Sequence, residues 1–216
     1  MTQFAMPAEG ITAQGHGEVK VKPDLALLTL TVTTQSQNQA EAVQQNAQRT
    51  TSLLAALRGA KVADKDIQTL SYTVQPQYDY KPSPPVLTGY QVQNSVQATV
   101  RDLTKVGYVI DKAIAGGASE VGGVSFDLSD RAASQSAALR LAVGSAKLKA
   151  GVMADAAGVN LGRLLTLTEG GNAPVVVRPI MMMRAMADSA PQTPIVDQQI
   201  TVSADAVLVY AMGAAK

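Results

Sequence analysis

The sequence predicts an α+β fold, a mostly antiparallel sheet packed by three helices in the order β-β-α-β-β-α-β-α-β-β. The hydrophobic period switches repeatedly between two and about 3.6 residues, so strands and helices alternate along the chain. Strands also arrive in adjacent pairs, and paired strands with no helix between them favour antiparallel neighbours. With 216 residues and 46% hydrophobic side chains, the chain can bury a sizeable core.

Each element follows from its local pattern. In "GITAQGHGEVKVKP", Ile11, Ala13, Val19 and Val21 share one parity, and Gly15 and Gly17 predict a bulge or bend before Pro23 ends the strand. Leu28, Leu30 and Val32 then alternate with threonines, as a half-buried strand requires. Ala40, Val43, Ala47, Thr50, Leu54 and Leu57 recur at three and four residues and predict a helix, with Asn38 and Glu41 as a capping box and Gly59 as its C-terminal cap. Period two returns with Leu70, Tyr72, Val74, Tyr78 and Tyr80, and again with Tyr90, Val92, Val96, Ala98 and Val100. Asp102 caps a short helix that Gly116 and Gly117 stop, and Val124, Phe126 and Leu128 form the next strand. Ser129 or Asp130 caps the longest helix, which runs to about Ala157. On it Ala137, Gly144 and Gly151 lie seven apart, a stripe suited to close backbone approach or arising by chance in an Ala/Gly-rich helix. A strand near residues 160–168 and the strand "QQITVSADAVLVYAM" complete the order. Residues 1–9 are expected to be a tail, residues 10–212 a domain, and residues 170–196 a mobile Pro/Met-rich insertion.

Composition removes several classes of function. Eighteen basic against seventeen acidic residues give a net charge of +1, which offers no electrostatic footprint for nucleic acid. The chain has no cysteine, so disulfides, thiolate metal sites and thiol catalysis are absent. No apolar run approaches the roughly 20 residues of a membrane helix, and the first residues do not read as a signal peptide. Either the protein is cytoplasmic, or a signal peptide is missing from this sequence.

The chemistry-bearing motifs are sparse. Gly117 to Gly122 matches part of a phosphate-binding loop, but Gly123 and Val124 stand where Lys and Ser/Thr belong. The stretch also leaves a helix and enters a strand, the reverse of the order that points helix amides at an anion. A helix stop followed by a tight turn accounts for it. His16 is the only histidine, reads as an exposed turn residue, and has no catalytic partner nearby in sequence. Asp64 with Asp66, and Asp127 with Asp130, read as caps and turns. "RPIMMMRAM" gathers Met181, Met182, Met183 and Met186. Thioethers suit Cu(I), but without nearby His or Cys the stretch reads better as an adaptable interface. No catalytic, cofactor or metal residue is assigned, and no cofactor is expected.

"GHGEVKVKPDLALLTLTV", "DKDIQTLSYTVQPQYDY", "TGYQVQNSVQATVRDLTKVGYVIDKAIAGGASEVGGVSFDLSD" and "AGVNLGRLLTLTEG" together resemble the SIMPL-domain family, from about Gly10 to Tyr210 and in the family's order. The G-x-G-x-V-x-V-x-P-D opening and the V-R-D-L segment are its most specific marks; Gly144 and Gly151, where alanine is expected, depart from it. The resemblance implies an α+β domain exported to the periplasm or attached to the outer membrane. Family members are linked to oxidative-stress protection, one assembles into large hollow rings, and a eukaryotic member is a signalling adaptor. The family has no established catalytic motif. The expected function is that of a non-enzymatic envelope protein acting as a homo-oligomer. The alternatives are a scaffold that takes a protein partner at an exposed sheet edge, and a small-molecule or metal binder using the Tyr72/Tyr78/Tyr80 strand or the methionines.

Overall fold

A computed structural model describes residues 10–170, 176–178 and 199–215. The expectations for residues 1–9 and for Met181, Met182, Met183 and Met186 lie outside the described residues, as does most of the insertion at 170–196. The elements are β1 (Gly10–Val21), β2 (Leu25–Ser36), α1 (Gln39–Gly59), β3 (Ile67–Asp79), β4 (Val86–Val100), α2 (Val106–Ala115), β5 (Glu120–Asp127), α3 (Arg131–Ala156), β6 (Val159–Glu169), β7 (Val176–Arg178) and β8 (Gln199–Ala215). This is the expected α+β order with one short strand, β7, added. The antiparallel strands are divided between two four-stranded sheets. The chain correspondingly forms two compact units, one of which spans residues 23–129.

That unit contains the sheet β3-β4-β2-β5 with α1 and α2 packed on it. The alternation in β2 and β4 does what it predicts: Leu28, Leu30, Val32, Val92, Val96 and Ala98 are fully buried or nearly so. Leu53 and Leu57 of α1, and Val106, Val109 and Ala113 of α2, close the core from above. The helix α1 is rotated from the expected phase. Its buried stripe is Ala42, Asn46, Leu53 and Leu57, whereas Ala40 and Ala47 are exposed. Asn46 lies in the middle of that stripe. Its amide donates to the backbone carbonyls of Val32 at 3.0 Å and Val92 at 3.3 Å, so a polar side chain sits in the core with its hydrogen bonds made.

The ends of α1 also differ from expectation in detail. Asn38 caps it, accepting from the Ala40 and Glu41 amides at 2.8 and 3.3 Å. Glu41 closes the box through Ser36: the Ser36 hydroxyl donates to Glu41 Oε2 and accepts from the Asn38 amide. At the other end the left-handed residue is Lys61, with φ 69°, rather than Gly59. The amides of Lys61 and Val62 reach back to the carbonyls of Arg58 and Leu57.

The second unit carries the sheet β1-β8-β6, with β7 also paired to β8, and α3 lies against it. Ala138, Ala142, Ala146, Ala150 and Ala154, one every fourth residue, are its buried stripe. Here the reading of Gly15 and Gly17 is corrected. The β1–β8 register runs without interruption from Gly10↔Ala211 to Val21↔Ile200, so there is no bulge. A Cβ on Gly15 would lie 1.9 Å from the Ala142 carbonyl oxygen, and one on Gly17 2.0 Å from that of Ala138. The glycines let a helix backbone rest on a strand backbone. Gly144 and Gly151, read as the close-approach stripe, instead have nothing within 4 Å of an added Cβ.

Candidate functional site

The glycine-rich stretch is built for structure. Gly116 ends α2, Gly117 takes φ 110°, and Gly123 takes φ 141°. The register against β2 passes from Thr29↔Gly123 to Leu30↔Val121, leaving Gly122 as an extra residue. The pair Gly122–Gly123 is thus a β-bulge inside β5 rather than a turn before it.

His16 has a partner that sequence distance hides. It lies in mid-strand directly opposite Asp205 of β8, and its Nδ1 is 2.8 Å from Asp205 Oδ1. Both side chains are about half exposed. A histidine–carboxylate pair resembles two-thirds of a catalytic triad, but no hydroxyl or thiol nucleophile is bonded to the imidazole among the described residues. Nor do the described residues hold three His, Cys, Asp or Glu side chains placed to bind a metal ion.

The acidic residues divide into caps and clamps. Asp130 caps α3, accepting from the Ala133 amide at 2.9 Å. Ser129, the other candidate cap, turns to Asp24: its amide donates to Asp24 Oδ1 at 2.7 Å and its hydroxyl to Oδ2. The Ser129 hydroxyl, helped by that amide, holds the Asp24 carboxyl below its ordinary value. Asp64 pairs with Arg58. Asp66 receives both Nε and Nη2 of Arg101, at 3.0 and 2.6 Å. This two-pronged bond lowers the Asp66 carboxyl and raises the Arg101 guanidinium. Asp102 accepts from Thr104 and Lys105, and these bonds, that from the Thr104 side chain foremost, lower it as well. The P-D and V-R-D-L marks are therefore corner fastenings of the unit spanning residues 23–129.

Exposed apolar side chains lie on the helices, as with Leu141, Leu148 and Val152 of α3 and Ile114 of α2, and also along strand edges. β3 pairs only with β4, and β6 only with β8, among the described residues. Leu70 and Tyr72 of β3 are about half exposed, as are Leu164 and Leu167 of β6, while Leu165 is more than a third exposed. The tyrosines Tyr78 and Tyr80 sit at the β3–β4 hairpin with ring centroids 6.2 Å apart, Tyr80 being 76% exposed. An edge strand of this kind presents unpaired amides and carbonyls beside apolar side chains, the two things a further strand would cover.

The profile of the SIMPL family, described as a protein of unknown function (DUF541), matches residues 11–210. The chain belongs to the SIMPL family. Its relatives include the 26 kDa periplasmic immunogenic protein of Brucella melitensis, 33% identical over 188 residues that cover 84% of this chain and 75% of that protein. The same-named protein of Brucella abortus matches to the same extent. The uncharacterized protein YggE of Escherichia coli K12 is 29% identical over 182 residues, covering 84% of this chain and 73% of YggE. No described helix of this SIMPL chain is long and apolar enough to cross a membrane.

Proposed function

We propose that this SIMPL protein is a non-enzymatic component of the cell envelope that works as a homo-oligomer, its copies joined through sheet edges. The observation that carries the reading is β6, an edge strand with Leu164, Leu165 and Leu167 all substantially exposed. Leu164 and Leu167 lie opposite Tyr210 and Leu208 on one face, with Leu165 at the bulge between them, and pairing with another copy would cover them and satisfy the backbone. Closure into a ring would leave no growing end, whereas open pairing would make fibres. The periplasmic location printed for the Brucella relatives supports an envelope setting, and the family resemblance supports outer-membrane association and a part in oxidative-stress protection. Met181, Met182, Met183 and Met186 are assigned to the same interface as adaptable apolar contacts.

Light scattering across a dilution series tests the assembly. A multiple of the 22.4 kDa protomer mass that falls to the protomer in Leu164→Lys/Leu167→Lys is expected. A protomer mass at every concentration up to high micromolar would sink the reading. The exposed β3 edge with Tyr72, Tyr78 and Tyr80 favours one alternative, a scaffold that accepts an extended segment of a partner protein. A dimer that stays a dimer, unchanged by the β6 lysines, would put that alternative ahead.

A further inference from the structure

A cavity of about 280 Å³ opens where the end of α1 meets the end of β4 and the start of α2. Its floor is apolar: Ala60, Val62, Val100 and Val109 line it and are all buried. Its rim carries four cations, Lys61, Lys65, Arg101 and Lys105, and only two carboxylates, Asp66 and Asp102. Both carboxylates are already engaged, Asp66 by the Arg101 fork and Asp102 by Lys105 at 3.0 Å. Lys61 and Lys65 make no salt bridge among the described residues, so the rim has an excess of two positive charges. In a chain whose whole net charge is +1, this is a strong local concentration.

The backbone supplies an independent sign. Lys61 takes φ 69°, a conformation that glycine adopts freely and that a lysine adopts under strain. Glycine is the usual residue at this place after a helix. Keeping lysine there strains the backbone at a residue that lines the cavity. Strain held at one position points to a task for the side chain rather than for the fold.

We propose that this cavity binds a small amphipathic anion, an organic carboxylate with a compact apolar body of one ring or a short branched chain. The buried valines would receive the body, and Lys61 and Lys65 would receive the carboxylate. The volume lies just below the usual range of ligand sites, which favours a compact apolar body over a long acyl chain. A bare inorganic anion would leave the apolar floor unused.

The test is saturation-transfer NMR on the full chain with 4-methylbenzoate, its neutral counterpart 4-methylbenzyl alcohol, and inorganic phosphate as competitor. Saturable binding of the benzoate is expected, with the alcohol and phosphate each at least about tenfold weaker. Lys65→Gln should weaken it about fivefold. Lys61→Gly should weaken it similarly while raising the urea midpoint, because it removes the charge and the strain together. Lys147→Gln, on α3, should change neither. No saturable binding overturns the proposal. So does equal binding of the alcohol, which would make the cavity merely greasy, or equal displacement by phosphate, which would make the rim merely charged. Affinity unchanged in both Lys61→Gly and Lys65→Gln overturns it as well, by locating the binding elsewhere.

Discussion

A methyl group on Gly15 would lie 1.9 Å from a carbonyl oxygen and 2.5 Å from an amide nitrogen of α3, both backbone atoms that no rotamer change can move aside. Gly15→Ala should therefore push helix and strand apart and cost about 3 kcal/mol, read as a lowered urea midpoint. Gly144→Ala and Gly151→Ala are expected to act in the opposite sense. Each sits in a helix interior with open space around its Cβ, so alanine should stabilise by about 0.5–1 kcal/mol. A pH dependence also belongs to single residues. Asp24, Asp66 and Asp102 have carboxyls held low in the folded chain, so their bonds stabilise it above the unfolded value of about 4 and lose that contribution as pH falls through the folded values. Urea midpoints should fall below about pH 4, and Asp66→Asn should flatten the curve in that range. Little of this was legible in sequence. Local rules read Gly15 as a bulge because the helix it meets lies more than 120 residues further on. Asp66 looked like a turn residue because its arginine is 35 positions away.

The strands were legible where one face is buried and the other wet. β2 and β4 keep period two because α1 and α2 cover one face of their sheet, although Thr31 on the opposite face of β2 is buried too. The helix α1 was legible in extent but not in phase. Hydrophobicity alone passes over Asn46, although its two bonds to strand carbonyls make it a core residue. Asn46→Leu would keep the branched shape, add bulk at a fully buried position and lose both bonds, and is expected to destabilise by about 1–3 kcal/mol. The start of α1 was read from Asn38, and Asn38→Ala should cost about 1 kcal/mol. Thermal midpoints of the two variants check both figures. The candidate edges were only half legible. Leucines in β6 mark a strand, but the bulge at Leu165 breaks the alternation, and exposure at the sheet's boundary has no period of its own.

For the whole molecule, the continuous stretch 23–129 holds a complete hydrophobic cluster, from Ala26 and Leu28 to Val109 and Ala113, with Phe126 packed against it. A fragment of residues 23–129 is expected to fold alone, with a cooperative urea transition and dispersed amide resonances; a broad, gradual transition would refute this. The other unit cannot be obtained so simply, because β1 and β8 come from distant parts of the chain. Their pairing must close a loop of about 190 residues, as in Gly15↔Ala206, so this sheet is expected to form late, after the rest of the chain. The same pairing places Gly10 directly across from Ala211. Two points so far apart in sequence are thus neighbours in space, and a few glycines and serines would bridge the ends of these strands. Joined there and reopened in the 81–85 stretch between β3 and β4, the domain should give a circular permutant with unchanged strands. It should equally tolerate insertion into a surface loop of a carrier protein, entering and leaving through adjacent positions.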